Sequence, residues 1–227
     1  MKEIGILGTG RMAVRLADVF AQAGVKVLLG SRTPQRAHAI AKALNNANVT
    51  GGTYEMALEK EWFLPAIFLK DGLLDSLNVH KDKLNGKVLL DISNAFNDTY
   101  DDFILDWDTS ASEEIQKIVP NVKIIGAFKN VWYEVFDEPM FDEGVSDVYM
   151  TSDYPELKKE LMDVLVNSKF RYMDAGALKN SRTIERMTLL ATELSIRYEF
   201  FPRVNWKFLG KKWIQGDKDK YKEMIQR

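Results

Sequence analysis

Gly8-Thr9-Gly10-Arg11-Met12-Ala13 is the stretch that decides the fold. It has the spacing G-x-G-x-x-A, and its surroundings give that spacing meaning. Residues 2–7 read as a short apolar strand before it, and residues 11–23 as an amphipathic helix after it. In that helix Met12, Leu16, Val19, Phe20 and Ala23 share one side, while Arg15, Asp18 and Gln22 share the other. Each small residue of the motif answers a steric need. Gly8 permits a tight turn, Gly10 lets the backbone approach a pyrophosphate, and Ala13 lets the helix lie close to a sheet. The helix start adds free N–H groups and the positive end of its dipole. Gly8, Thr9, Gly10, Arg11 and Met12 are therefore candidate dinucleotide contacts.

A second stretch chooses between dinucleotides. After a strand at residues 25–30 the chain reads Gly30-Ser31-Arg32-Thr33-Pro34-Gln35-Arg36. An NAD site places a carboxylate here for the ribose 2′-hydroxyl. This stretch has none. It offers the hydroxyl of Ser31, the guanidinium of Arg32, a helix start at Thr33-Pro34, and Arg36 one turn further on. That set suits a 2′-phosphate, so the expected cofactor is NADP(H), with Ser31, Arg32, Thr33 and Arg36 among its contacts.

Outward from these motifs, short apolar runs alternate with helical patterns, as in βαβ units. A helix runs to about residue 44, and a polar turn at 45–52 holds a short strand. Further strands are expected at 65–69, 87–92, 122–127, 147–151 and 170–174. Helices are expected at 72–77, 154–166 and 178–201, the last apolar almost all round. Residues 97–112, with five aspartates, read as a surface loop or short helix. The expected fold is α/β, a Rossmann-type NAD(P)-binding fold with a mainly parallel sheet and a C-terminal helical extension. Its parts are a nucleotide-binding domain at 1–177 and a helical segment at 178–227 packed on it, with a polar tail from 216.

Composition narrows the chemistry. The chain has 227 residues, a formal net charge of −2, two histidines and no cysteine. Disulfides, thiol nucleophiles and iron–sulfur clusters are excluded; with two imidazoles no His-based metal site is expected, a carboxylate-only magnesium site stays open, and no metal ligand is assigned. No basic stripe points to nucleic acid. The longest apolar run, about residues 62–69, is far short of the roughly 20 residues of a membrane span, and no signal-peptide layout opens the chain. A cytoplasmic protein is expected. His38 sits on the edge of a helix, and His80 is placed in a connection. Tyr154 and Lys158 have the spacing of a short-chain dehydrogenase pair but begin a surface helix, so they are taken as coincidence.

The sequence resembles the deazaflavin (coenzyme F-420)-dependent NADP oxidoreductases. It is also similar to the cytosolic oxidoreductase domain of STEAP metalloreductases. The resemblance runs through Ile4–Gly10, Gly30-Ser31-Arg32, Leu90-Asp91-Ile92-Ser93-Asn94, Ala127-Phe128-Lys129-Asn130-Val131-Trp132, and Asp174-Ala175-Gly176-Ala177-Leu178-Lys179-Asn180-Ser181-Arg182. It implies that Thr9, Arg11, Met12, Ser31, Arg32 and Arg36 hold NADP. It also implies that Asn94 and the segment from Ala127 to Asn130 lie beside the nicotinamide, and that the part after Ala177 covers the site and helps form a homodimer. Lys70-Asp71-Gly72, Ala95 and Lys129 depart from the usual family residues, on the substrate side.

The implied activity is hydride transfer between NADPH and a planar flavin-like acceptor: a deazaflavin, a flavin, or ferric iron through flavin. Such chemistry needs alignment of two rings more than acid–base groups, and no catalytic side chain is assigned. Phe128, Trp132 and Tyr133 would serve either as an aromatic wall for the acceptor or as core. Lys129 would either attract an anionic acceptor or stand in solvent. A non-enzymatic NADP(H) sensor with a protein partner remains a second reading. A 3-hydroxyacid or pyrroline-carboxylate type reductase ranks last.

Overall fold

A computed structural model describes residues 1–212. The first half alternates strictly: β1 (Glu3–Leu7), α1 (Arg11–Gln22), β2 (Lys26–Gly30), α2 (Pro34–Leu44), β3 (Val49–Gly52), α3 (Tyr54–Leu58) and β4 (Trp62–Pro65). Then follow α4 (Leu73–Leu84), β5 (Val88–Asp91), α5 (Ala111–Ile118) and β6 (Lys123–Gly126). The six strands form one parallel sheet in the order β3-β2-β1-β4-β5-β6. That is the doubly wound order of dinucleotide-binding folds, and strand order reverses between β1 and β4.

A short hairpin, β7 (Met140–Phe141) and β8 (Gly144–Val145), leads to β9 (Asp147–Met150). After α6 (Pro155–Val164), β10 (Arg171–Asp174) pairs with β9 in a separate two-stranded parallel sheet. This small sheet touches the large one at a single bridge, where Gly126 and Thr151 exchange N–H···O bonds of 2.8 and 2.9 Å. Helix α7 (Ser181–Arg197) closes the regular structure.

Successive strand residues feed opposite layers, as the pleat requires. Leu29, Leu64, Leu90 and Ile125 pack with Leu16 and Phe20 of α1 and Leu161 of α6. Their neighbours Leu28, Phe63, Leu89 and Ile124 pack with Leu73 and Leu77 of α4 and Ile115 of α5. Strands buried on both faces read as continuous apolar runs. Burying each large side chain contributes about 1.5–3 kcal/mol.

Several expected elements shift. The strand expected at 65–69 ends at Pro65 instead of starting there. Trp62, Phe63 and Leu64 form its buried body, and Pro65 is its last residue. The helix expected at 72–77 continues to Leu84, so His80 lies in a helix and not in a connection. Helices α3 and α5 were not foreseen. Thr53 caps the first through Met56 N, and Ser110 caps the second through Glu113 N. Helix α3 rests directly on the sheet. A Cβ on Gly5 would stand 2.0 Å from Ala57 O, and one on Gly30 would stand 2.7 Å from Thr53 O.

The helix expected to reach residue 201 stops at Arg197. Glu199 adopts a left-handed φ of 60°, and Phe200 N bonds back to Ser195 O. Its buried stripe is not apolar all round but hydroxyl-rich: Ser181, Thr188, Thr192 and Ser195, with Glu185 among them. Residues 198–212 carry no helix or strand, and the expected polar tail from 216 lies outside the described residues. Within 198–212 a strap crosses the small sheet. Asn205 donates to Asp147 O, Trp206 Nε1 to Met187 O, and Phe208 N to the Asp147 carboxylate.

Candidate active site

The glycine turn sits where strand order reverses. Gly8 N donates to Gly30 O at 2.9 Å, tying the ends of β1 and β2. Gly8 has a φ of 121°, and a Cβ there would stand 2.9 Å from Ala66 O. The two motif glycines thus differ. Gly8 is required by backbone shape and by the neighbouring strand's exit. Gly10 precedes α1 in ordinary extended conformation, and a Cβ added to it would meet nothing within 4 Å. The space above Gly10, beside the unpaired N–H groups of a helix start, fits a pyrophosphate. Ala13 is fully buried against the sheet.

The second stretch lies beside this turn. Arg36 Nη2 reaches Thr9 O at 3.4 Å, so the first turn of α2 meets the glycine loop. Ser31 is buried, and its Oγ accepts the Thr33 N–H at 3.1 Å. Thr33 is the residue before α2 and makes no side-chain cap. Arg32 is exposed, and among the described residues no hydrogen bond or ion pair holds it. Two guanidiniums and a helix start therefore border one turn, a fit for a 2′-phosphate.

A cavity of about 600 Å³ opens from the turn along the strand ends. Gly10, Arg11 and Met12 line its first part, and Ala66, Ile67 and Phe68, just after β4, line its side. Asn94 and Lys129 belong to its floor, with Thr188 of α7. Trp132 stands between Phe96 and Phe201, at ring-centroid distances of 5.9 and 5.0 Å. Tyr100 packs on Phe96 at 5.4 Å and on Phe68 at 6.2 Å. Lys70 lies 4.6 Å over the Tyr100 ring and pairs with Asp98, which anchors the acidic loop at the cavity rim. Arg11 lies 4.6 Å over Tyr133 at the mouth.

Of the three aromatics singled out in the sequence, Trp132 and Tyr133 are half-buried cavity walls. Phe128 is buried, with a left-handed φ of 57°, and packs on Phe136, Phe170 and Tyr172. Phe68, Phe96, Tyr100 and Phe201 were missed as wall residues. They come from three separate connections, after β4, after β5 and after α7, and only their convergence identifies them.

Lys129 corrects the sequence reading most sharply. It is neither free for an anionic acceptor nor in solvent. It is 2% exposed, and its Nζ lies 2.6 Å from Asp91 Oδ2 and 2.9 Å from Glu185 Oε1 while donating to Ser93 O. Burial opposes its charge, but the two carboxylates outweigh that and hold its pKa above the ordinary amine value. Burial raises the pKa of Glu185, and the nearby charge of Asp91 adds to the rise. Asp91 also accepts from Ser93 and Ser112, and Glu185 from Ala111 N. The Lys129 carbonyl accepts from Asn94 Nδ2 at 2.8 Å and Thr188 Oγ1 at 3.0 Å. This buried cluster joins β5, β6 and α7 beneath the cavity.

Ala127 does not line the cavity. It is fully buried and its N–H donates to Asp91 O. Asn130 is also turned away, bonding Asp147 O and Asn205 under the strap. Lys158 is bonded to Asp174 and to Gly176 O, apart from the cavity. Among the described residues no group of three or more His, Asp or Glu could hold a metal ion. No helix there is long and apolar enough to cross a membrane.

Comparison with known proteins shows what this chain is similar to. Residues 3–95 match the family described as NADP oxidoreductase, coenzyme F420-dependent. An F420-dependent NADP reductase of Methanocaldococcus jannaschii is 28% identical, over 87% of this chain and 94% of its own length. The rat metalloreductase STEAP3 is 28% identical over 82% of this chain but only 36% of its own length. A crystal structure from Arthrobacter sp. FB24, assigned as an F420-dependent NADP reductase, superposes with a TM-score of 0.77 at 20% identity. It covers 92% of this chain and 100% of its own. The resemblance carried by the sequence motifs, to both groups of reductases, is thus a finding, and so is the Rossmann-type fold.

Proposed function

We propose that this chain, similar over most of its length to F420-dependent NADP reductases, is an NADP(H)-dependent oxidoreductase. It would pass a hydride between NADPH and a planar flavin-like acceptor. The observation that carries the reading is spatial. A glycine turn bordered by Arg32 and Arg36 opens into a cavity walled by Trp132, Tyr100 and Phe96 at the sheet's switch point.

Gly10 and the start of α1 would hold the pyrophosphate, and Arg32, Arg36 and Ser31 the 2′-phosphate. When bound, the dinucleotide supplies the hydride, and a flavin or deazaflavin takes it. The chain's own part is placement. The aromatic walls would hold a flat ring and exclude water, while the Asp91–Lys129–Glu185 cluster fixes the floor. A deazaflavin is the acceptor favoured by the similarity. Leu190, Ile196, Tyr198 and Phe200, exposed along and just beyond α7, support a homodimer through that face. A cytoplasmic location accords with these substrates.

The test is NADPH oxidation followed by absorbance with deazaflavin, FMN, FAD, riboflavin and ferric chelate, beside NADH controls. Turnover with one acceptor and preference for NADPH is expected. Tight NADPH binding without turnover on any acceptor would transfer the case to a cofactor-binding sensor.

A further inference from the structure

Two residues that line the cavity each keep a buried polar atom without a partner. Among the described residues neither Asn94 Oδ1 nor Trp132 Nε1 makes a hydrogen bond, although both are shielded from solvent. Both residues line the same cavity. A buried donor or acceptor left unpaired is costly, so native proteins rarely keep one without use.

Their orientations are set. Asn94 Nδ2 donates to Lys129 O, and turning the amide over would face one oxygen with another. That carbonyl also takes the Thr188 hydroxyl, and its residue is pinned by Asp91 and Glu185. The Trp132 ring is held between Phe96 and Phe201. Indole nitrogen can only donate, and Asn94 Oδ1 can only accept. The cavity lining thus holds one fixed donor and one fixed acceptor beside aromatic faces.

We propose that Asn94 and Trp132 form an amide-reading subsite. Asn94 Oδ1 accepts an N–H and Trp132 Nε1 donates to a carbonyl of the same ligand edge. Two ligands of the proposed reaction carry that edge: the nicotinamide carboxamide and the imide edge of a flavin-type ring. The inference rests on the reading of this cavity as the site of both.

Trp132→Phe keeps a six-membered aromatic ring between Phe96 and Phe201 and removes the N–H donor together with the pyrrole part of the indole. Calorimetric titration with NADPH, FMN and 2′,5′-ADP tests it, the last being a ligand that carries the 2′-phosphate but no amide edge. The variant should bind either NADPH or FMN about tenfold more weakly, the effect of one lost hydrogen bond, and bind 2′,5′-ADP like wild type. A loss confined to NADPH identifies the carboxamide, and a loss confined to FMN the ring imide. On wild-type protein, the 3-acetylpyridine analogue of NADP or N3-methylated FMN, each lacking the N–H, should show a matching deficit against its parent. Unchanged affinity of Trp132→Phe for both NADPH and FMN, or wild type that does not discriminate against either analogue, would overturn the subsite and leave the nucleotide reading standing. Failure of wild type to bind 2′,5′-ADP would defeat both.

Discussion

The two halves of the cavity are built by different physics. On the glycine-turn side the groups offered to a ligand are backbone N–H groups and exposed guanidiniums; Arg32 is held by nothing among the described residues, and Arg36 by one long contact to Thr9 O. On the opposite side a buried ammonium, two buried carboxylates and three hydroxyls interlock beneath Asn94. One half pays little to exist and, on the proposed reading, would gain its order from a ligand. The other is ordered before any ligand arrives, because an unsatisfied charge in its place would be prohibitive.

That contrast is most easily broken at Lys129. Lys129→Met removes the only cation shown between Asp91 and Glu185 and strands both carboxylates. Unfolding free energy from urea titration should fall by about 3–5 kcal/mol. A loss under about 1 kcal/mol would show that the cluster is no more rigid than the turn.

On the other side the expected losses are in binding, not folding. Arg32→Ala should weaken NADPH binding by about 1.5–3 kcal/mol, the loss of a charged hydrogen bond, and leave NADH nearly unchanged. Equal loss of both would show that Arg32 does not read the 2′-phosphate. Gly10→Ala sharpens the point. Its φ of −81° suits alanine, and its Cβ meets nothing. The variant should keep the wild-type melting temperature while binding NADPH at least tenfold more weakly, about 1.4 kcal/mol. A stable variant with intact affinity would remove the pyrophosphate from that space.

The smallest effect concerns the strap. Burial disfavours the Asp147 carboxylate, but hydrogen bonds from Arg171 and Phe208 N and the charges of Arg171 and Lys207 outweigh it, so its pKa lies below the ordinary 3.8. A depressed carboxyl pKa stabilises the fold above that ordinary value, and the contribution disappears as pH falls through the lower, folded value. Asp147→Asn should therefore flatten the acid limb of stability below 3.8 by under about 1 kcal/mol. An unchanged acid limb would mean that the strap owes nothing to this charge.

The sequence made one half legible for a physical reason. A turn, its strand and its helix are neighbours in the chain, so Gly8, Gly10, Ala13 and Arg32 announce themselves by spacing alone. Turn chemistry and apolar alternation likewise located most strands, but misplaced β4, whose proline closes the strand, and missed the short capped helices α3 and α5. Glu185 gave a weaker sign: its hydroxyl neighbours Ser181, Thr188 and Thr192 recur at helical spacing and mark a polar buried face. The sequence by itself determined the α/β class, the dinucleotide turn and the absence of a carboxylate after β2. Only the tertiary structure decided that Lys129 is an internal counter-ion, that Ala127 and Asn130 face away from the cavity, and that Trp132 and Asn94 face into it. These placements join residues 36 and 56 positions apart, as from Lys129 to Ser93 and to Glu185. Such contacts follow from packing of the whole sheet and α7, which no local pattern encodes.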